Sequence, residues 1–263
     1  MDDYLKINQE SWNNKVAYHL DSKFYDMEGF MKGETSLPSL DIELLGDVQR
    51  KTVLHLQCHF GQDSLSISRL GAKVTGVDLS NKAIDSAKSI TEQLQLDAQF
   101  LCCDIYNLPK ELDEKFDVVY TSYGTIGWLP DLNRWAEVIS HFLKPGGKLV
   151  FVEFHPFLWM FNDDFTKITY PYTSENPIVE EFEGTYADTS APIKQEYVMW
   201  NHSLSKVLNA LRNQNLKIQH FEEHTYSPWP CFKEVKEIAP KKFIIPNLGE
   251  HAPYIYSVVA IKD

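Results

Sequence analysis

The sequence has little positive charge, few cysteines and no long apolar runs, and each shortage excludes a class of protein. Its 263 residues include 25 Lys and Arg against 37 Asp and Glu, which gives a formal net charge of −12. This excess of negative charge opposes binding to nucleic acids and to anionic membrane surfaces. The 4 cysteines contain no C-x-x-C pair and are too few for the disulfide framework of a small secreted protein. We therefore expect free thiols and no nucleic acid partner.

No apolar run approaches the roughly 20 residues that a membrane-spanning helix needs. The longest runs, such as 150–154 and 254–261, have the length of strands. The N-terminal residues 1–3 include two acids and are not followed by the apolar core of a signal peptide. We therefore expect a cytoplasmic protein with no membrane partner. The sequence carries no prediction of oligomeric state.

What the sequence does contain is an alternation of short β-branched runs and helical patterns. Strands are predicted at 52–56, 73–78, 98–103, 116–120 and 148–154. A helix over 81–95 is predicted to begin at the N-cap Ser80, and another to begin at Asp131 and end at 145–147. This order builds a parallel sheet with helices on both faces, and ligands bind such sheets at the carboxyl ends of the strands.

The C-terminal third follows a different pattern. Runs at 178–186 and 194–200 predict an antiparallel hairpin, and a helix over 204–211 is followed by strands at 217–223 and 254–261. The proline-rich stretch 227–250 is predicted to be a surface loop or lid.

These elements together predict an α/β fold: a Rossmann-like, seven-stranded, mostly parallel sheet with an N-terminal helical lid and an added hairpin. We expect one domain, divided into an N-terminal cap, a core, an inserted hairpin and a C-terminal part. The four parts are 1–50, 51–155, 156–202 and 203–263.

Acidic residues end the second and third predicted strands. A carboxylate at the end of the second strand faces the turn after the first strand, where it can accept both hydrogen bonds of a ribose diol. Asp78 is placed for that contact, and Asp104 is placed to accept from an exocyclic amine. The pattern predicts a nucleoside across the three strand ends. Asp78 as a simple helix cap and Asp104 as a simple turn residue remain the alternatives.

Five runs resemble the class I S-adenosylmethionine-dependent methyltransferases, in particular their small-molecule branch, over about residues 51–154. They are VLHLQCHFGQDS, VTGVDLS, CCDIYNLP, FDVVYTSYGTIGWL and LKPGGKLVFVEF. The resemblance implies S-adenosyl-L-methionine as cofactor and a small-molecule methyl acceptor. It implies cofactor contacts from His55, Gln57, Gly61, Asp78, Leu79, Asp104, Ile105, Thr121 and Ser122.

The first of these runs departs from the family pattern. His55 stands in place of an acid, and Gln57 and His59 stand in place of glycines that let the backbone approach the ligand. A neutral His55, or Gln57 through its amide oxygen, could accept a hydrogen bond from the cofactor's ammonium group. Asp63 could orient His59 or cap the helix that follows. Because the later runs match, we expect a diverged cofactor turn.

Methyl transfer by in-line displacement needs alignment and exclusion of water, and a protonated acceptor also needs a base. The base candidates, each with a surface or core-edge role as the alternative, are Glu153, His155, His19 and His202. Aromatic residues are expected to wall the acceptor pocket, namely Tyr123, Trp128, Tyr197 and Trp200. The acidic and aromatic hairpin favours an apolar or cationic acceptor.

Three other interpretations are weaker. The H-x-x-C-H run at 55–59 has metal-ligand residue types, but alternate strand residues face opposite ways and a fourth ligand is lacking, so no metal is expected. A nicotinamide-binding G-x-G-x-x-G would fall on His59, Gly61 and Ser64 and lack two glycines. A non-catalytic ligand-binding module of the same fold is the third, motivated by the altered first motif.

Overall fold

The central sheet has seven strands in the computed structural model, which describes residues 3–263. The first two residues of the acidic N-terminal start therefore lie outside the described residues. In chain order, the strands of the central sheet and of two separate two-stranded sheets are β1 (Thr52–Leu56), β2 (Lys73–Asp78), β3 (Ala98–Cys102), β4 (Phe116–Ser122), β5 (Leu143–Phe154), β6 (Ile178–Glu183), β7 (Lys194–Met199), β8 (Leu216–His224), β9 (Lys236–Ala239), β10 (Lys242–Ile244) and β11 (Ile255–Lys262). The two-stranded sheets that accompany the central sheet are β6–β7 and β9–β10.

The strand order in this sheet is β3-β2-β1-β4-β5-β11-β8. The five strands from β3 to β5 pair in parallel, and β11 pairs antiparallel with both β5 and β8. The order reverses at β1, which lies between β2 and β4, so a crevice opens beyond the carboxyl ends of these strands. The predicted Rossmann-like, mostly parallel, seven-stranded fold is confirmed.

Helices cover both faces of the sheet. They are α1 (Tyr4–Leu20), α2 (Met27–Met31), α3 (Ser39–Leu45), α4 (Gln62–Arg69), α5 (Asn81–Leu94), α6 (Leu108–Glu111), α7 (Leu132–Phe142) and α8 (Leu204–Asn213). The predicted N-caps are present: the Ser80 hydroxyl accepts from the Ala83 N–H, and the Asp131 carboxylate accepts from two N–H groups of α7. The buried faces of α5 and α7 pack on the sheet.

Two local expectations were wrong. The helix α7 ends at Phe142 and β5 begins at once, so residues 145–147 lie within β5 instead of ending a helix. A register shift between β4 and β5 accommodates them. The stretch 227–250 is not only a loop: it contains the hairpin β9–β10, whose ladder is uninterrupted because Pro240 lies in the turn, although residues 229–233 do border the cavity as a lid would.

The added hairpin β6–β7 pairs antiparallel as expected but forms a sheet of its own. The helix α1 packs against it, and the Asn8 amide exchanges hydrogen bonds of 2.8 and 2.9 Å with the backbone of Val198. Together α1 and the hairpin cover the carboxyl ends of the parallel strands. Over residues 3–263, no helix is both long enough and apolar enough to cross a membrane.

Candidate functional site

A cavity of about 1000 Å³ lies at the carboxyl ends of β1, β2, β3, β4 and β5. The residues that follow these strands form its floor, and α1, the hairpin β6–β7 and the segment 229–233 form its cover. A cavity of this volume at a topological switch point has the size and position of a small-molecule site.

The turn after β1 has left-handed backbone at alternate residues. Gln57, His59 and Gly61 have φ angles of 56°, 52° and 79°. An L-residue in this region costs about 1–2 kcal/mol, so contacts must hold the turn. The Cys58 N–H donates to Val77 O at 2.9 Å, and the Gln57 side-chain Nε2 donates to Thr125 O at 2.8 Å. The diverged turn therefore keeps the backbone shape that glycines would favour.

Asp78 ends β2 and lines the cavity. One carboxylate oxygen accepts from the His59 N–H at 2.8 Å, and the other accepts from the Ser80 N–H at 2.8 Å. Burial raises the pKa of Asp78 to about 6, and these N–H donors oppose the rise. Each oxygen keeps a lone pair beyond the one that the backbone uses, so the carboxylate can accept from a diol.

The end of β3 contributes Asp104 and Ile105 to the cavity, with Leu79 beside them from the end of β2. The Asp104 carboxylate accepts from the Tyr106 N–H at 3.2 Å and from the Asn107 amide at 3.2 Å. Burial raises its pKa. Asp104 is therefore both a turn residue and a lining residue, and the two interpretations of it are compatible.

His55 and Gln57 line the cavity but make different contacts. His55 Nδ1 lies 2.8 Å from the Ser64 hydroxyl, and burial lowers the pKa of the ring to about 3, so it is neutral. The Gln57 Oε1 atom is buried and has no hydrogen-bond partner. A buried acceptor without a donor is costly, and a ligand ammonium group would satisfy it.

Two expected cofactor residues have other roles in the structure. A Cβ on Gly61 would lie 2.6 Å from Phe100 Cζ, so this glycine is needed for packing beneath the turn, although its backbone borders the cavity. Thr121 is fully buried outside the cavity lining, and its hydroxyl lies 3.2 Å from that of Thr125. The neighbouring Ser122 does line the cavity.

Glu153 is buried at the end of β5, and its carboxylate holds the turn after β4. It accepts from the N–H groups of Thr125, Ile126 and Phe154 at 2.7, 3.1 and 2.7 Å, and also from the N–H of Gly124. With these lone pairs used by the backbone, the carboxylate is poorly placed to take a proton from a substrate. The geometry favours a positioning role over the base role expected from sequence.

His155 and His19 lie outside the cavity lining, whereas Glu153 borders the cavity. His155 Nε2 lies 2.8 Å from a Glu223 carboxylate oxygen, and its Nδ1 accepts from the Phe157 N–H at 3.1 Å, so both ring nitrogens are engaged. His19 packs among aromatic rings, 4.8 Å from Tyr186, with both nitrogens buried and unpartnered. Neither contacts the cavity as a base would have to.

His202 is the second base candidate, beside Glu153, that lines the cavity. Its Nε2 lies 2.8 Å from Leu129 O and must donate there, because a carbonyl can only accept. The other nitrogen, Nδ1, therefore carries a lone pair, and it has no partner in the described structure. Burial lowers the pKa of His202 to about 4. The four expected aromatic wall residues, Tyr123, Trp128, Tyr197 and Trp200, all line the same cavity.

Two residues of the site were missed from the sequence. Lys15 lines the cavity from α1, and its position on one helical face with Trp12 and His19 was the available signal. Asp41 is buried in α3 and accepts from the hydroxyl of Tyr123 at 2.7 Å, which fixes that ring at the cavity edge. Burial raises the pKa of Asp41 to about 7. The contact joins residues 82 positions apart, and no local pattern reveals it.

The H-x-x-C-H residues separate in the fold. His55 bonds to Ser64, Cys58 enters an apolar core cluster, and the His59 ring packs 5.4 Å from that of Trp12. Within residues 3–263, no three His, Cys, Asp or Glu side chains are grouped as metal ligands.

Comparisons with known proteins agree with the fold. The methyltransferase-domain family matches residues 53–147. A ubiquinone biosynthesis O-methyltransferase of Coxiella burnetii is 40% identical over 101 residues, which are 38% of this chain and 42% of that protein. The match thus spans less than half the length of this relative.

Two solved structures are similar over more of the chain. The geranyl diphosphate C-methyltransferase of Streptomyces coelicolor A3(2) has a TM-score of 0.63 at 17% identity and covers 99% of this chain and 98% of its own. An S-adenosylmethionine-dependent methyltransferase of Mesorhizobium loti has a TM-score of 0.58 at 21% identity, with 88% and 100% covered. At these identities the likeness establishes the fold.

Proposed function

We propose that the protein transfers a methyl group from S-adenosyl-L-methionine to a small-molecule acceptor, because residues 53–147 match the methyltransferase-domain family and the fold is similar to those of S-adenosylmethionine-dependent methyltransferases. The observation that carries this proposal is the Asp78 carboxylate. It lies at the end of β2, lines the cavity and is fixed by the N–H groups of His59 and Ser80. An ionised carboxylate held in this way matches a ribose diol.

The residues around Asp78 fit the remainder of the cofactor. Asp104 and Ile105 border the part of the cavity suited to an adenine, and Ser122 borders the turn after β4. The unpartnered Gln57 Oε1 supplies an acceptor for an ammonium group. The left-handed turn at 57–61 keeps a backbone shape that lets a ligand approach, although Gln57 and His59 carry side chains. These features support binding, although two of the family's glycines are replaced.

When bound, S-adenosylmethionine would supply an activated methyl group, because breaking the bond from that methyl to the sulfonium sulfur releases a neutral thioether as the leaving group. What the protein has to add is alignment and exclusion of water. We propose that α1 and the hairpin β6–β7 exclude water from the cavity that they cover, and that residues 1–50 and 156–202 hold the acceptor. Glu153 would fix the turn after β4, and with it the aromatic wall residue Trp128.

His202 is our candidate for the group that accepts the acceptor's proton. Its ring is neutral, since burial keeps its pKa near 4, and its Nδ1 has no other partner. The hydrogen bond from Nε2 to Leu129 O fixes the tautomer and the orientation of the ring. A neutral, oriented imidazole with a free lone pair is the form in which histidine acts as a base.

Calorimetric titration with S-adenosylhomocysteine tests the proposal. Wild-type protein is expected to bind, and Asp78→Ala is expected to weaken binding at least about tenfold, or about 1.4 kcal/mol. Asp97→Ala is the matched control, because Asp97 is exposed at the opposite end of the sheet, just before β3. Failure of wild-type protein to bind, or equal affinities of the two variants, would reject the proposal.

A further inference from the structure

Lys15 is a buried cation at the edge of the cavity. Only 5% of the residue is exposed, and it borders the cavity from α1. Its Nζ atom lies 4.5, 5.5 and 5.9 Å from the ring centroids of Trp12, Trp128 and Tyr197. The three rings also line the cavity. The ammonium group is therefore held beside aromatic faces and open to whatever enters the cavity.

Within residues 3–263, no carboxylate lies within 4 Å of this ammonium group and no hydrogen bond from it is present. The other lysine of the lining, Lys233, is 65% exposed and pairs with Asp164 at 2.5 Å. Burial lowers the pKa of Lys15 to about 8, so it is mainly charged at pH 7. A buried charge without a partner is costly, and an anionic ligand would remove that cost.

The position of Lys15 on α1 indicates which ligand it would contact. One side of α1 contacts the end of β2, where Gln9 donates to Leu79 O at 2.8 Å and Asn13 accepts from the Ser80 hydroxyl at 2.7 Å. Asn8 instead bonds to the hairpin, and Lys15 faces the hairpin residue Tyr197. Lys15 thus belongs to the side of the cavity that the added elements build.

The glutamates of strand β6 do not neutralise Lys15. None of Glu180, Glu181 and Glu183 lines the cavity. Glu180 accepts from the Tyr197 hydroxyl at 2.6 Å, and Glu181 pairs with Lys194 at 2.7 Å on the surface. These three acids therefore do not face the acceptor, and Asp188 of the hairpin turn, which does line the cavity, accepts from Ser190.

We propose that Lys15 binds the carboxylate of the methyl acceptor, and that the acceptor is an aromatic acid whose ring packs against Trp12, Trp128 and Tyr197. The inference rests on the proposed methyl transfer for the role of this ligand as acceptor. It replaces the apolar or cationic acceptor that the sequence suggested. Flat rings and one fixed cation form a site that matches a flat acid better than its uncharged amide.

Benzoate and benzamide, which share shape but differ in charge, are suitable probes. Their affinities are to be measured by tryptophan fluorescence, since Trp12 and Trp128 flank the site, with and without saturating S-adenosylhomocysteine. Wild-type protein is expected to bind benzoate about tenfold more tightly than benzamide. Lys15→Met should bring the two affinities within about twofold, and Lys15→Arg should keep the preference. Lys217→Met, at an exposed lysine of β8 outside the cavity lining, is the control and should behave as wild type.

Three results would overturn the inference: no benzoate binding by wild-type protein, equal affinities for the two probes, or a preference that survives in Lys15→Met. A fourth would too. If Lys15→Met weakens S-adenosylhomocysteine about tenfold and saturating S-adenosylhomocysteine abolishes the benzoate preference, the anion is the cofactor's own carboxylate. If wild-type protein fails to bind S-adenosylhomocysteine but shows a Lys15-dependent benzoate preference, the proposed function fails and the anion site stands.

Discussion

The Asp78 carboxylate accepts the backbone N–H of His59 at 2.8 Å, which ties the end of β2 to the turn after β1. The acid expected to bind a sugar is therefore also part of the scaffold of the cofactor turn. Any substitution of Asp78 changes both ligand binding and the stability of this turn, so binding and stability have to be measured separately.

Asp78→Asn is expected to raise the free energy of unfolding at pH 7, because the raised pKa of Asp78 means that its buried charge lowers stability there; the amide nitrogen, which would face one of the two N–H donors, reduces this gain. Chemical denaturation at pH 7 without ligand measures this change. Asp97→Asn should leave stability within about 0.5 kcal/mol. A less stable Asp78→Asn protein would show that the hydrogen bonds to the carboxylate outweigh the cost of burying its charge.

The left-handed backbone at Gln57 predicts an unusual order of stability. At a φ of 56° glycine is favoured, so Gln57→Gly is expected to be more stable than Gln57→Ala by about 1 kcal/mol. Both variants lose the hydrogen bond to Thr125 O, so their difference isolates the backbone effect. Thermal unfolding of the pair measures it. The opposite order would mean that the turn relaxes once the side chain is removed.

Gly61→Ala is expected to be strongly destabilising, by about 2–4 kcal/mol, because it combines a positive φ with overpacking. The new Cβ would lie 2.6 Å from Phe100 Cζ. Phe100→Leu should recover part of the loss in the double variant, and a double-mutant cycle measures the coupling. Additive effects would contradict the packing explanation for this glycine.

His202→Gln is expected to lower kcat by about a hundredfold or more for an acceptor that must lose a proton. The affinity for S-adenosylhomocysteine should not change. Because the pKa of His202 is about 4, the wild-type kcat should increase as the pH rises through 4 and should be constant at higher pH. The kcat of the variant should not show this increase. His251→Gln, at an exposed histidine outside the cavity, is the control. An unchanged kcat would remove His202 from the mechanism.

Lys15→Met is expected to stabilise the protein at neutral pH. The shift of the Lys15 pKa from 10.5 to about 8 corresponds to a penalty of about 3 kcal/mol, because the unfolded chain holds the proton more tightly. The penalty applies in full below pH 8 and disappears as the pH rises toward 10.5. The variant should therefore exceed wild type in stability at pH 7, by an amount that shrinks above pH 8. Denaturation at pH 7, 8.5 and 10 checks this trend.

The sequence predicted the parallel core well because its signals are local. Ser80 and Asp131 cap their helices as expected, and Asp78 lies at a strand end that the alternation of elements alone defines. The fold follows from such patterns, since helix and strand periodicities require only neighbouring residues.

The side-chain roles were predicted less well because they depend on contacts between distant parts of the chain. The Glu153 carboxylate accepts hydrogen bonds from N–H groups up to 29 positions away in the sequence. The His155 ring pairs with Glu223, which is 68 positions away. Lys15 acquires its environment from Trp128 and Tyr197, which only the finished fold brings near. No local spacing encodes such neighbours.

The insertion of β11 between β5 and β8 has a consequence for how the molecule is made. In the described structure β8 joins the main sheet only through β11. A nascent chain halted before residue 255 would thus leave β8 unpaired and the outer edge of β5 bare. Such an edge invites association with other chains. Ribosome stalling or early termination in this region should therefore yield aggregated protein instead of a smaller folded protein.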